Sequence, residues 1–393
     1  MHRRIFLAAT VAFCGLAISA VSTAQAQDTV TIGFGGGITG YLAFYDGMTQ
    51  NGLRLAVDEI NAAGGIGGKY KIDLQVKDVR SEAPAAATAG AEFAAAGVTV
   101  MIAPCDVDPA IAFSQPAQQA GIPVIAPCAS TPTLANAVGD FMFQIYPADT
   151  LQAAVLAKFA RDQGYGNAYI LLSPDTPYTE KLPLYFADVF QKLGGKVAAQ
   201  GTYTFGQQDF SAEVTNIKGL DPQPDVIMTS AYEPDFPAFI KQLRGAGITT
   251  PVLGSDGIDS PTTLALGDVA EGVIYSTGGF PAPGSTLEKL YKDYVAKFGG
   301  NVQTDVSPYA ATAYEAVKLI ETAIVAAGST DGAAVRDALN NIADYQGISG
   351  SVITLAGQNR IALRDVTLIR VEKGAKALVA NLRPDPATVP APQ

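Results

Sequence analysis

The segment from residue 29 to residue 70 constrains the fold most, because it runs from a strand through a glycine-rich loop directly into a helix. Its apolar residues first alternate, as in a strand, and later recur at i, i+3, i+4 and i+7, as on one helix face. They are Val30, Ile32 and Phe34, followed by Leu53, Ala56, Val57 and Ile60. Parallel α/β proteins bind ligands at such corners. We therefore predict a ligand-binding loop here, with Tyr41 and Tyr45 at its tip.

Nucleotide binding is an alternative interpretation of this loop, since Gly35, Gly37 and Gly40 formally satisfy G-x-G-x-x-G after a strand. The dinucleotide fold also requires an acidic residue at the end of the second strand, about 20 residues further on. Asp58 falls inside the helix instead, and the next strand ends only at Asp78. No Lys-Ser or Lys-Thr pair follows the loop. The pattern therefore argues against a nucleotide.

The first 26 residues have the pattern of a secretory signal peptide. Arg3 and Arg4 precede an apolar stretch from residue 5 to residue 21, and Ala24-Gln25-Ala26 is a small-residue cleavage site. No later apolar run approaches the roughly 18 residues needed to span a bilayer. We expect a periplasmic protein that is exported through a cleaved signal, is not embedded in the membrane, and begins near Gln27.

Composition excludes several function classes. The only histidine, His2, lies in the signal segment, so a Ser-His-Asp or Cys-His catalytic group cannot be built. A zinc site would have only Cys105, Cys128 and carboxylates to draw on. The formal net charge of −11 makes nucleic acid an implausible partner. We expect a binding protein without metal or cofactor rather than an enzyme.

Strand and helix patterns alternate along the rest of the chain, which predicts an α/β fold with parallel sheets. The length exceeds what one hydrophobic core usually supports, so two domains are expected. The predicted strands span residues 71–77, 98–103 and 122–126 in the first half, then 168–172, 196–203, 226–229 and 251–254, with 364–371 as the last one.

The first loop and helix resemble the leucine/isoleucine/valine-binding family of type I periplasmic solute-binding proteins. The family pattern SGxxAxxGxxxxNGxxLAxxxINxxGGIxG stands here as TGYLAFYDGMTQNGLRLAVDEINAAGGIGG, and the resemblance extends over about residues 29–380. It implies two doubly wound parallel-sheet lobes joined by a three-segment hinge, with crossings near residues 146–149, 277–281 and 350–354. The implied N-terminal lobe comprises residues 28–146 and 281–350, and the C-terminal lobe 147–280 and 351–383. Residues 384–393 are expected to be a disordered proline-rich tail.

The resemblance also implies a ligand site in the loops after the strands. In the family these loops hold an amino acid, and an acidic residue pairs with the ligand ammonium. The residues that match are Tyr45, Val107, Cys128, Ala129, Ser130, Tyr178, Tyr232, Asp256, Gly257 and Tyr309. Asp256 falls on the acidic position. Alternatively, the loop around Ser130 is an ordinary turn, Asp256 caps a helix, and each tyrosine only packs at the rim.

The loop after the third strand departs from the family pattern. Asp106 and Asp108 flank the position where a serine is expected. They would repel a ligand carboxylate, unless both side chains point away and only the Val107 backbone contacts it. Calcium binding by this pair is a less supported alternative.

Cys105 and Cys128 are the two thiols left after export. In the implied fold they follow neighbouring strands, roughly 4.8 Å apart, which suits a disulfide, and an oxidising compartment favours the bond. Two buried free thiols are the alternative.

The resemblance implies the substrate receptor of an ABC importer, which acts as a monomer and presents its solute to a permease with ATPase subunits. A neutral α-amino acid is the predicted ligand, because Asp256 would bind its ammonium and tyrosines surround the rest. The loop with Asp106 and Asp108 leaves a cationic or polyhydroxylated solute as the alternative. A periplasmic sensor, or a carboxylate-based hydrolase on the same fold, is the alternative.

Overall fold

The structure is a computed structural model that describes residues 28–233 and 235–393. The predicted signal peptide, residues 1–26, lies outside the described part of the chain. The described residues form two α/β lobes, each built on a sheet in which parallel pairs predominate. The predicted fold class is confirmed.

The chain begins with a five-stranded parallel sheet in the order β2-β1-β3-β4-β5. Its elements are β1 (Asp28–Gly36), α1 (Ala43–Ala62), β2 (Tyr70–Asp78), α2 (Ala83–Ala96), β3 (Val100–Ile102), α3 (Val107–Ala120), β4 (Val124–Ala126), α4 (Leu134–Val138) and β5 (Met142–Gln144). Successive residues of the central strands enter opposite cores: Val100 and Ile102 pack on one face, Met101 on the other. A sheet covered on both faces explains why these strands are almost entirely apolar.

The second sheet has seven strands in the order β14-β13-β10-β9-β8-β6-β7. Its first part comprises α5 (Asp149–Asp162), β6 (Asn167–Leu172), α6 (Pro177–Lys192), β7 (Lys196–Thr202), α7 (Ser211–Lys218), β8 (Val226–Thr229), α8 (Asp235–Gly245), β9 (Val252–Gly254), α9 (Pro261–Leu264) and β10 (Ile274–Thr277). A 3-10 turn from Asp256 to Ile258 follows β9 directly.

The last part of the chain contributes to both lobes. It contains α10 (Thr286–Phe298), α11 (Pro308–Ala327), α12 (Gly332–Asn340), β11 (Tyr345–Gln346), β12 (Val352–Ile353), β13 (Val366–Glu372) and β14 (Ala375–Leu382). α10, α11 and α12 pack on the first sheet with α1 and complete the first lobe. β13 and β14 form an antiparallel hairpin at the edge of the second sheet. The sequence pattern predicted β13 as the last strand, so β14 was missed.

The third crossing between the lobes lies later than predicted. Ile353, Leu355 and Ala362 belong to the core of the first lobe. The backbone oxygen of Gln144, the last residue of β5, accepts a hydrogen bond from Ala362 N at 2.8 Å. The backbone N–H of Gln144 donates to Arg360 O at 2.9 Å. Residues 351–363 therefore pack on the first lobe, and the chain enters the second lobe only just before β13. The predicted assignment of this segment to the C-terminal lobe is wrong, because its apolar residues complete the first core.

The proline-rich tail also differs from its prediction. It has no helix or strand, but Val389 packs against the core of the second lobe. Gln393 N donates to the Tyr185 hydroxyl at 2.8 Å, and that hydroxyl donates to Gln393 O at 3.2 Å. The segment from residue 384 to residue 393 thus has specific contacts with α6, and the expectation of a disordered tail is not supported.

A fully buried ion pair lies where two of the interlobe crossings meet. Arg364 Nη1 is 2.9 Å from a carboxylate oxygen of Glu315 on α11 and donates to Ile145 O at 2.8 Å. Arg364 Nη2 donates to the Ser349 hydroxyl at 3.0 Å. One guanidinium therefore ties the first crossing, the third crossing and α11 together.

Candidate ligand-binding site

The candidate site is a small cavity between the lobes, where the loops after several strands converge. It is lined by Leu42, Tyr45, Cys105, Cys128, Ser130, Tyr178, Tyr232, Asp256, Gly257 and Tyr309. Its volume is about 20 Å³, which accommodates about one water-sized group. A larger solute enters only if the lobes separate or the rings move.

Eight of the ten predicted ligand residues line this cavity. Val107 and Ala129 do not, although both are buried beside it. Leu42 and Cys105 line it without having been predicted as ligand contacts. Leu42 precedes α1 directly and packs with Tyr45 in the second hydrophobic cluster. An apolar residue before a helix is too common in sequences to have identified it.

Asp256 lies at the first residue of the 3-10 turn after β9 and is 4% exposed. One carboxylate oxygen accepts from the Tyr178 hydroxyl at 3.0 Å, and the other from the Tyr309 hydroxyl at 3.2 Å. Burial raises the pKa of this carboxyl to about 6, although hydrogen bonds from Gln152, Tyr178 and Tyr309 oppose the rise. The side chain thus faces tyrosine hydroxyls, whereas the alternative reading had it capping a helix.

Two tyrosines of the first lobe bind the backbone of the second lobe at this turn. The Tyr45 hydroxyl, from α1, donates to Gly257 O at 2.8 Å, and the Tyr309 hydroxyl, from the start of α11, donates to Asp256 O at 2.6 Å. Both bonds are buried, and burial places the pKa of each phenol well above its usual value. The lobes are therefore held closed by the side chains that line the cavity.

The Tyr45 ring is inclined to two neighbouring tyrosine rings, whereas two tyrosine rings of the second lobe are stacked. The Tyr45 ring is inclined 82° to the Tyr309 ring at a centroid distance of 5.4 Å, and 53° to the Tyr232 ring at 6.0 Å. Tyr178 and Tyr232 stack at 4.9 Å and are nearly parallel. This arrangement encloses the cavity with aromatic surface on the sides of both lobes.

A disulfide joins Cys105 and Cys128, with their Cα atoms 4.7 Å apart. The predicted bond is present in the structure, because β3 and β4 are adjacent and parallel, so the loops that follow them meet. The Cys105 amide also donates to a carboxylate oxygen of Asp46 at 3.0 Å. The disulfide therefore forms one wall of the cavity and connects two of its loops.

Asp106 and Asp108 have different environments, although the sequence suggested a pair. Asp106 is the N-cap of α3, accepts from Val107 N at 2.7 Å, and accepts from the Tyr41 hydroxyl at 2.7 Å. The Tyr232 hydroxyl of the other lobe lies 3.5 Å from the carboxylate oxygen that accepts from Val107 N. Asp108 is exposed. The side chains that the structure describes contain no cluster of acidic, Cys or His groups suited to a metal ion.

Two further carboxyl groups are buried close to the cavity. Asp149, the first residue of α5, has no hydrogen-bond partner for either carboxylate oxygen among the described residues. Burial raises its pKa to about 8. Asp46 accepts from Gly37 N at 2.6 Å, and burial raises its pKa to about 8 as well. Each carboxyl is thus shielded from water.

The fold and the interlobe site define a two-lobed solute-binding protein, and comparisons with known proteins agree. The chain belongs to the periplasmic binding protein family, whose profile matches residues 29–376. The Leu/Ile/Val-binding protein BraC3 of Rhizobium johnstonii is 27% identical over 317 residues, or 80% of this chain and 84% of that protein.

Solved structures give the same result. Leucine binding protein LivK of Thermotoga maritima superposes with a TM-score of 0.82 at 25% identity, covering 91% of this chain and 99% of that one. LivJ of Streptococcus pneumoniae, in complex with isoleucine, gives a TM-score of 0.80 at 26% identity, with 90% and 99% covered. Among the residues that the structure describes, no helix is both long enough and apolar enough to cross a membrane.

Proposed function

We propose that this protein is the periplasmic receptor of an ABC importer and that its ligand binds in the interlobe cavity with an ammonium group on Asp256. The observation that carries this proposal is the convergence of Asp256, Tyr45 and Tyr309 from two lobes on one buried site. The relatives named for leucine, isoleucine and valine support a small solute of this kind. The prediction of a neutral α-amino acid stays a prediction.

Closure follows from the same geometry. A ligand that bridges Ser130 on the first lobe and Tyr232 and Asp256 on the second gains all its contacts only when the lobes close. It therefore shifts the population towards the closed form. Small-angle scattering with a saturating ligand should show a smaller radius of gyration than without it. An unchanged radius at saturation would contradict the closure mechanism.

Calorimetry on a panel of solutes tests the role of Asp256. The Asp256→Asn variant should weaken binding of an ammonium ligand at least tenfold, because the charge-assisted hydrogen bond is lost. Asp268→Asn is the matched control, since Asp268 is an exposed acid of the same lobe. Equal affinity for the wild type and the Asp256→Asn variant would show that the ammonium binds elsewhere.

The role in transport needs its own measurement. Liganded receptor should stimulate ATP hydrolysis by its permease and ATPase subunits in proteoliposomes, whereas a sensor would not. The hydrolase alternative predicts product formation from an ester, amide or glycoside, and no histidine is present outside the signal segment to serve it. We propose a monomeric, non-catalytic receptor, which sedimentation and turnover assays can check.

A further inference from the structure

The carboxyl groups at and beside the cavity are not matched by any basic side chain in its lining. Asp256 lines it, and Asp106, Asp149 and Asp46 are buried beside it. None of the ten lining residues is Lys or Arg. The buried Arg364 is committed to Glu315, at the hinge. An anionic solute would thus lie against Asp256 with no cation in the lining to receive it.

We propose that the cavity binds an organic cation that lacks a carboxylate, with the positive group held between Asp256 and the rings of Tyr45, Tyr232 and Tyr309. This inference rests on the proposed receptor function. It replaces amino acids, as the expected ligand class, with amines and quaternary ammonium compounds.

The tyrosine rings that line the cavity favour a cation. A cation is attracted to the face of an aromatic ring, and the attraction grows when water is excluded. The Tyr45 ring is inclined to both the Tyr309 ring and the Tyr232 ring, and all three rings border the same small cavity. Asp256 lines the same cavity, and its carboxylate would neutralise the charge of a bound cation.

The hydroxyl protons of the tyrosines at the cavity are bonded within the protein. Tyr45 donates to Gly257 O, and Tyr309 donates to the backbone oxygen of Asp256. Tyr178 donates to a carboxylate oxygen of Asp256 and accepts from Gly257 N at 2.8 Å. These donors are already used within the protein. What these tyrosine hydroxyls still offer a ligand are acceptors, which an ammonium satisfies and a carboxylate does not.

The loop that would hold an amino-acid carboxylate lies next to buried acidic side chains. In the amino-acid interpretation, backbone groups around Ser130 receive that carboxylate. Asp149 lies directly behind this loop, since its amide donates to Ser130 O at 2.9 Å and its carboxylate has no hydrogen-bond partner among the described residues. At the second predicted carboxylate position, the Val107 backbone N–H already donates to the neighbouring Asp106 carboxylate at 2.7 Å. Both positions therefore present a buried acidic side chain, and no cation, to a ligand carboxylate.

Matched pairs of ligands isolate the carboxylate. We would compare leucine with 3-methylbutylamine, and phenylalanine with 2-phenylethylamine, by calorimetry and thermal shift on the full mature protein. The amine should bind at least tenfold more tightly than its amino acid in at least one pair. An amino acid that binds as tightly as its amine, or more tightly, overturns the proposal.

A second pair of ligands tests the role of the positive charge. Choline and 3,3-dimethylbutan-1-ol have the same shape, but only choline is charged. Choline should bind more tightly by at least tenfold. Tyr232→Phe keeps the ring and should bind choline nearly as well as the wild type, whereas Tyr232→Leu should lose at least fivefold. Equal losses in the two variants would assign the effect to the hydroxyl and overturn the cation–ring contact.

The outcomes separate this inference from the receptor function. If no amine or ammonium compound binds at millimolar concentration, the inference is wrong. If an amino acid, an aromatic acid or a neutral solute then binds and compacts the protein, the receptor function stands without it. If amines bind but leave the radius of gyration unchanged and do not stimulate the importer, the cation site stands and the receptor function fails.

Discussion

Breaking the Cys105–Cys128 disulfide should destabilise the first lobe by an amount that follows from the loop it closes. The two residues are 23 positions apart. In the chain-entropy model a loop of this length contributes about 3.4 kcal/mol at 25 °C, because the bond restricts the unfolded chain. For a folding unit of 150–250 residues, each kcal/mol corresponds to roughly 2–4 °C in the melting temperature. We therefore expect a decrease of about 7–14 °C if the first lobe melts as one unit.

Two preparations test this value independently. The first is wild-type protein with and without a reducing agent, and the second is the variant with Cys105→Ala and Cys128→Ala. Both are followed by urea unfolding and by calorimetry. The reduced wild type and the variant should agree within about 1 kcal/mol, since a lost sulfur contact adds only a small packing term. The slope against urea should rise, because the unfolded chain exposes more surface without the link.

Two results would refute the reasoning. Mass spectrometry of the native protein could find two cysteines that react with an alkylating agent, which would show that the bond is not formed. Alternatively, the bond could be present while its reduction changes the free energy of unfolding by less than about 1 kcal/mol. That would mean that the unfolded chain keeps these two loops close, so the bond removes little entropy.

Further predictions address the hinge, the helix packing and the buried acids. Arg364→Met should lower stability by about 3–5 kcal/mol in urea unfolding, because it leaves Glu315 buried and unpaired, whereas adding Glu315→Leu should restore much of that loss. Gly52→Ala should destabilise by about 1–3 kcal/mol, since its Cβ would lie 2.1 Å from a carbonyl oxygen of α11. Gly47→Ala in the same helix meets no atom within 4 Å and should be neutral or stabilising. Burial raises the pKa of Asp46 from 3.8 to about 8, so its contribution to stability is present below about pH 4 and is lost as pH rises to about 8. The melting temperature of Asp46→Asn relative to wild type should therefore be higher at pH 8 than at pH 5, and a constant difference would contradict this.

Much of the fold and of the candidate site could be predicted because the signals are local. The change of apolar period between β1 and α1 identifies a strand-to-helix corner. Parallel strands place the loops at their carboxyl ends on one edge of the sheet, so loops far apart in sequence converge. Ser130 and Asp256 thereby reach one cavity from different lobes.

The third crossing could not be predicted in the same way, because it depends on tertiary pairing. Ile353, Leu355 and Ala362 fit neither helical nor strand spacing over any length, and β12 has only two residues. Their position is set by the backbone of Gln144, which pairs with residues 360 and 362. Nothing local shows which of two nearby cores such residues complete.

Asp106 shows how helix phase separates residues that look alike in sequence. An Asp before a helix prefers the N-cap position, where its oxygen accepts a backbone N–H. Asp106 takes this position and faces Tyr41, while Asp108 lies in the first turn of α3 and is exposed. The N-cap preference could have separated them, but the contact with Tyr232 of the other lobe requires closure and has no local signal.

Closure and ligand binding use the same atoms at this site. Tyr45 and Tyr309 hold Gly257 and Asp256 across the cleft, so a solute that reaches Asp256 has to replace bonds that the protein already makes. A neutral donor would exchange one hydrogen bond for another of similar strength. A cation adds a charge that no tyrosine supplies, and its bond to a buried carboxylate is about twice as strong as a neutral one. The hydroxyls of Tyr45 and Tyr309 therefore compete with the ligand for this site, and a positively charged ligand displaces them most readily.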